Sequence, residues 1–115
     1  MTTRILHNPR CSKSRATLEL LRERGIEPEI SLYLEQPPSA AELRSILKKL
    51  GIGARQLLRK GEAEYRELNL KDETLSESQL IEAMAKHPRL IERPIVLANG
   101  KAALGRPPES VLEIL

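Results

Sequence analysis

The chain is poor in aromatic residues: two Tyr, no Phe and no Trp, 2% in all. Proteins that grip single-stranded nucleic acid stack bases on aromatic faces, so that class is disfavoured. Cysteine is scarcer still, with Cys11 alone. One thiol cannot close an intramolecular disulfide, and a cysteine-based zinc site needs several thiolates. His7 and His87 stand far apart with no Cys partner set, so no metal is expected. No apolar run approaches the ~20 residues that cross a bilayer, and no membrane association is expected. No apolar signal segment follows Met1-Thr2-Thr3-Arg4, which makes the cytoplasm the expected compartment.

What is present suits one small soluble domain over residues 1–115, with a Leu-rich aliphatic core: 40% of residues are hydrophobic and 30% charged. The net charge is +3, and the basic residues are interleaved with Glu. A DNA-binding face would more often gather them, a small anionic substrate fits as well, and no nucleic-acid partner is expected. No apolar stripe is left over, and a monomer is expected.

Thr3-Arg4-Ile5-Leu6-His7 reads as a strand stopped by Asn8-Pro9. From Lys13 to Arg24, Ala16, Leu18, Leu20 and Leu21 recur at helical spacing, and Gly25 suits the left-handed residue that ends a helix. Ile30, Leu32 and Leu34 alternate with Ser31, Tyr33 and Glu35, predicting a half-buried second strand. Ser39-Ala40-Ala41-Glu42 and Ser76-Glu77-Ser78-Gln79 are capping boxes, each opening a helix. Between them, Ala54–Lys60 and Glu64–Leu68 read as short helices. Leu43, Ile46, Leu47, Leu50, Leu57, Leu80 and Ile81 read as packing residues, and Glu62, Glu64, Glu67, Asp72 and Glu73 as solvated charge. Residues 39–87 thus form a helical insertion. Pro94–Ala98 is a strand, Asn99-Gly100 a hairpin turn, and Lys101–Leu104 its partner. Pro107-Pro108 can start a last helix with Val111, Leu112 and Leu115 on one face.

The order β-α-β, helices, β-β-α is that of a thioredoxin-like α/β fold with a mixed four-stranded sheet. In that layout the loop after the first strand carries a redox thiol, and here it carries Cys11. A helix N-terminus offers free N–H groups and a favourable dipole, and Arg10, Lys13 and Arg15 add positive charge. Both favour thiolate, the nucleophilic form. Ser14 stands where a dithiol oxidoreductase has its second Cys. A hydroxyl there can donate to the thiolate but cannot resolve a disulfide, so if Cys11 is catalytic the second thiol must come from outside. Pro94 occupies the place of the proline that is cis and faces the active thiol in thioredoxin-like domains. Beside Cys11, Arg93 would clamp an anion, and Arg59 and Arg106 are further candidates, because guanidinium forks suit tetrahedral oxyanions.

His7-Asn8-Pro9-Arg10-Cys11-Ser12-Lys13-Ser14-Arg15 resembles the active-site segment of the glutaredoxin-coupled arsenate reductases, the ArsC family. Leu58-Arg59-Lys60, Glu92-Arg93-Pro94-Ile95-Val96 and Leu104-Gly105-Arg106-Pro107-Pro108 resemble its three arginine segments, in order. The end at Leu115 is similar to the short, YfgD-like branch. The resemblance implies that Cys11 attacks the arsenic of arsenate, that Arg59, Arg93 and Arg106 bind the oxyanion and stabilise the adduct, and that His7, Ser14 and Arg15 tune the thiolate. It implies no bound cofactor. Glutathione acts as co-substrate, and glutaredoxin reduces the Cys11–glutathione mixed disulfide. Two other readings stay open: a transcription regulator of the Spx type that binds RNA polymerase, and a glutathione-dependent thiol reductase of another small substrate. The Spx type carries a Cys-x-x-Cys switch, which Ser14 removes.

Overall fold

Strand β1 (Arg4–Leu6) and helix α1 (Ser12–Glu23) open the chain close to where their apolar spacing puts them. The structure is a computed structural model that describes residues 2–115. It divides into two compact units, one of Met1–Gln36 with Arg93–Leu115 and one of Pro37–Glu92.

The first unit holds a mixed four-stranded sheet in the order β2-β1-β3-β4, with β2 at Glu29–Ser31, β3 at Ile95–Ala98 and β4 at Lys101–Leu104. β1 runs parallel to β2, with Ile5 opposite Ile30, and antiparallel to β3, with Ile5 opposite Val96. Asn99 (φ 55°) and Gly100 (φ 74°) turn the β3–β4 hairpin; both central residues are left-handed, as a type I′ turn requires. α1 ends in a Schellman motif: Gly25 at φ 76° donates to Arg22 O, and Ile26 donates to Leu21 O. Ile5, Leu18, Leu21, Val96 and Val111 form the core between sheet and helix. Each such side chain contributes about 1.5–3 kcal/mol by leaving water.

Three expectations are corrected here. The face of α1 that is buried is Ser14, Thr17, Leu18 and Leu21, while Ala16 is exposed. The second strand stops at Ser31, and beyond it the alternation is reversed: Tyr33 is buried, while Ile30 and Leu34 are 39% and 38% exposed. β2 is an edge strand with pairing on one side only, so its apolar residues need not face a core. The last helix is a 3₁₀ segment, Pro108–Ile114. At three residues per turn, Val111 and Ile114 share the inner face and Leu115 is exposed.

The second unit contains helices α2 (Ala40–Leu50), α3 (Ala54–Leu57), α4 (Ala63–Glu67) and α5 (Glu77–Lys86), then a 3₁₀ turn at Pro88–Leu90. Leu43, Ile46 and Leu47 of α2 and Leu80, Ile81 and Met84 of α5 are buried. Ser39 caps α2 by accepting from Glu42 N–H, and the Ser76/Gln79 box caps α5 from both sides. α3 stops at Leu57, short of the expected Lys60, because Leu58 turns extended and bridges Ile91. Glu62 and Glu64, read as solvated, have side chains only 18% and 19% exposed.

Candidate active site

The loop between β1 and α1 is built by its own backbone. His7 N–H donates to Ser31 O, extending the β1–β2 ladder by one residue. Asn8 then folds the chain back: its side-chain oxygen accepts from Arg10 N–H at 3.0 Å and its carbonyl from Cys11 N–H at 3.0 Å. Asn at this place makes an Asx turn, which supplies locally the hydrogen bonds a tight turn needs. The turn delivers Cys11 to the N-cap position of α1, with φ −91° and ψ 123°.

Cys11 is partly exposed. Burial raises its pKa, but the N–H of Ser14, a hydrogen bond from the Arg93 side chain, the N–H of Lys13 and the charge of Arg93 outweigh it. The net result lies below the ordinary thiol value. No side-chain cap bond of ordinary geometry closes on the sulfur, so these N–H groups act on it as loose dipoles.

Ser14 and His7 lie behind the thiol, 0% and 5% exposed. Ser14 Oγ accepts from Asn8 N–H at 3.0 Å and lies 2.6 Å from His7 Nδ1. The hydroxyl is thus committed to His7 and Asn8, and it is the backbone of Ser14 that acts on the sulfur. Burial, then the charges of Arg22 and Arg15, lower the pKa of His7, which keeps the imidazole neutral near pH 7. Arg15 is exposed, and its Nη1 donates to Pro9 O at 3.0 Å, tying the loop to α1.

Arg93 enters just before β3, ahead of a cis bond to Pro94. Its Nε is buried and has no hydrogen-bond partner among the described residues. A guanidinium that reaches the thiol and keeps a buried donor unspent is suited to an oxyanion at that place. Gly105 holds Pro94 from the other side: its N–H donates to Pro94 O at 2.9 Å. A Cβ on Gly105 would run into Thr17 Oγ1 and lie 2.7 Å from the Pro94 ring. Arg106 follows directly, half-buried and cis-bonded to Pro107.

Cys11, His7, Ser14 and Arg93 therefore come together in the first unit, and Arg15 braces their loop. Arg59 belongs to the second unit, where the bridge at Leu58 fixes its backbone. Its Nη1 meets Glu92 at 2.6 Å and its Nε meets Glu62 at 3.3 Å. The pairing of Glu62 and Glu92 with Arg59, the turn made by Asn8 and the packing of Thr17 beside Gly105 are not singled out by spacing in the sequence. Only Asn8, two residues before Arg10, carries a local signal, that of an Asx turn. Among the described residues no group of three His, Cys, Asp or Glu could hold a metal ion.

Residues 6–114 match the sequence model of the ArsC family. The chain is 63% identical over 113 residues to the uncharacterised protein YfgD of Escherichia coli K12, covering 97% of this chain and 95% of that protein. It is 53% identical over 116 residues to an arsenate reductase of Haemophilus influenzae, each covered in full. The structure of an arsenate reductase from Vibrio cholerae superposes with a TM-score of 0.97 at 54% identity, covering 100% of this chain and 98% of that one.

Proposed function

The chain belongs to the ArsC family, and from that premise we propose that it is an enzyme that reduces arsenate to arsenite with electrons from glutathione and glutaredoxin. The Cys11 thiolate attacks arsenic, an As–S bond forms, and an arsenic-bound oxygen leaves as water after protonation. Arg93 binds the oxyanion and offsets the charge that builds on it. On the family resemblance, Arg59 and Arg106 share that task, and His7, Ser14 and Arg15 keep the thiolate and its loop in place. The thiolate of glutathione then attacks the adduct. An S–S bond forms to Cys11, the As–S bond breaks, and its electron pair stays on arsenic, which departs as arsenite. Glutaredoxin removes the glutathionyl group and restores the thiol. No bound cofactor takes part, and the protein works as a monomer in the cytoplasm, where thiols are kept reduced.

The observation that carries this reading is the unspent, buried Nε of Arg93 beside a thiol of lowered pKa. Purified protein supplied with arsenate, glutathione and glutaredoxin is expected to release arsenite, and Cys11→Ser to release none. Absence of arsenite from the parent, or full activity in Cys11→Ser, overturns the assignment.

A further inference from the structure

Of the three arginines assigned to the oxyanion, only Arg59 lies in the second unit. Its Nη1 donates to Glu92 Oε1 at 2.6 Å and its Nε to Glu62 Oε2 at 3.3 Å, while Nη2 has no partner among the described residues. The two carboxylates are held differently. Glu92 is placed by the backbone: Arg59 N–H donates to Leu90 O at 2.7 Å and Glu92 N–H to Leu57 O at 2.9 Å, on either side of the Leu58–Ile91 bridge. Glu62 follows the exposed turn at Lys60-Gly61. Its second oxygen, Oε1, lies 3.3 Å from Nη2 of Arg89, a side chain that is 65% exposed. Between charged groups, a contact of 2.6 Å is a strong hydrogen bond and one of 3.3 Å a weak one.

We propose that these two carboxylates act on oxyanion binding in opposite directions: Glu92 is a positioning residue that fixes Arg59 through Nη1, and Glu62 is a guard that the oxyanion displaces. A guanidinium presents parallel N–H groups along its Nε/Nη2 edge, a fork that grips two oxygens of a carboxylate or a tetrahedral anion. Nη2 is open and Glu62 stands on Nε alone, so an anion completes that fork by replacing the weaker and less firmly anchored partner. Glu62 keeps Arg89 as it leaves, so its carboxylate is not left without a cation. Glu92 meanwhile holds the guanidinium by its other terminal nitrogen. Without Glu92, Glu62 is free to close on Nε and Nη2 together and fill the fork itself. The inference rests on the reading that Arg59 shares the oxyanion with Arg93, and it adds the two residues that set how available Arg59 is.

The test measures oxyanion binding without turnover: arsenate, with no glutathione present, slows alkylation of Cys11 by iodoacetamide, and the half-protecting concentration is read from intact-protein mass. Glu62→Ala is expected to lower that concentration about fivefold and Glu92→Ala to raise it about fivefold, the factor that about 1 kcal/mol is worth. Glu92→Gln keeps an accepting oxygen and is expected to fall between Glu92→Ala and the parent. Glu64→Ala removes the same charge from a side chain that pairs with Arg89 and not with Arg59, and is expected to stay within about twofold of the parent. Alkylation without arsenate should be alike in all five proteins. Loss of a negative charge by itself would favour the anion in every variant, so shifts in the same direction for Glu62→Ala and Glu92→Ala overturn the proposal. So do no shift in either, a Glu92→Gln value at or below that of the parent, or a Glu64→Ala shift as large as that of Glu62→Ala. Absence of protection in the parent overturns it together with the oxyanion site. Opposite shifts in a protein that makes no arsenite with glutathione and glutaredoxin would leave these two roles standing and remove only the reductase reading.

Discussion

The helices α1, α2 and α5 each begin at a residue with the same extended backbone, Cys11, Ser39 and Ser76, but the three residues are used differently. Ser39 and Ser76 accept the N–H three residues on, at 3.1 and 3.2 Å. Cys11 closes no such bond. The serine caps satisfy donors and stabilise the second unit by about 1 kcal/mol each. At Cys11 the same donors remain turned toward a sulfur, where they favour negative charge. One backbone geometry thus caps a helix in one unit and lowers the pKa of a thiol in the other, and the side chain decides which.

Cys11→Ser should break this contrast most severely. It turns the α1 start into an ordinary serine cap, so arsenite production and thiol alkylation should vanish while thermal unfolding shows equal stability or a gain of up to about 1 kcal/mol. Unfolding at much lower temperature would show that the sulfur itself holds the loop. Arg93→Ala comes next. It leaves the N–H groups in place and removes the guanidinium, so kcat should fall by roughly 10²–10³. The pH midpoint of iodoacetamide alkylation should also rise; a fixed midpoint would leave the thiolate to the helix alone. Gly105→Ala acts on packing. The added Cβ pushes on Thr17 and Pro94, and denaturant titration should show a loss of about 1–3 kcal/mol, with activity reduced through displacement of Arg93.

His7 provides a pH-dependent version of the test. Its pKa is lowered by burial, and by Arg22 and Arg15, so the unfolded chain takes up a proton at higher pH than the folded one. The stability it contributes is complete above its ordinary value of 6.5 and is lost as pH falls below that. Melting temperature should therefore drop on acidification below 6.5, and His7→Asn should flatten that slope. The smallest effect belongs to Ser39→Ala: about 1 kcal/mol of stability, with no change in the alkylation rate of Cys11. A change in that rate would mean that the two kinds of helix start are coupled.

Much of this was legible in the residues. The glycine after α1, the two serine caps and the Asn99-Gly100 turn are short-range signals, and each element they delimit is where spacing put it within a few residues. The thiol at a helix start was legible for the same reason. The burial of Tyr33 in place of Leu34 was not, because an edge strand has only one paired side and its facing depends on what covers it. The pairing of Arg59 with Glu62 and Glu92 was hidden too, since Glu92 stands 33 residues away and meets Arg59 only through the bridge between Leu58 and Ile91.

By itself the sequence determined where helices and turns begin and end, that the chain has a single thiol, and that any disulfide this thiol forms takes its partner from another molecule. These follow from local backbone preference and from counting. Tertiary structure alone decided that Ser14 turns its hydroxyl to His7, that Arg93 keeps a buried donor unspent beside the thiol, and that Gly105 leaves room for the Pro94 ring. Those are contacts between residues distant in the chain or crowded into one small volume. Their geometry is set by how sheet and helix close on a shared core, which no stretch of residues encodes alone.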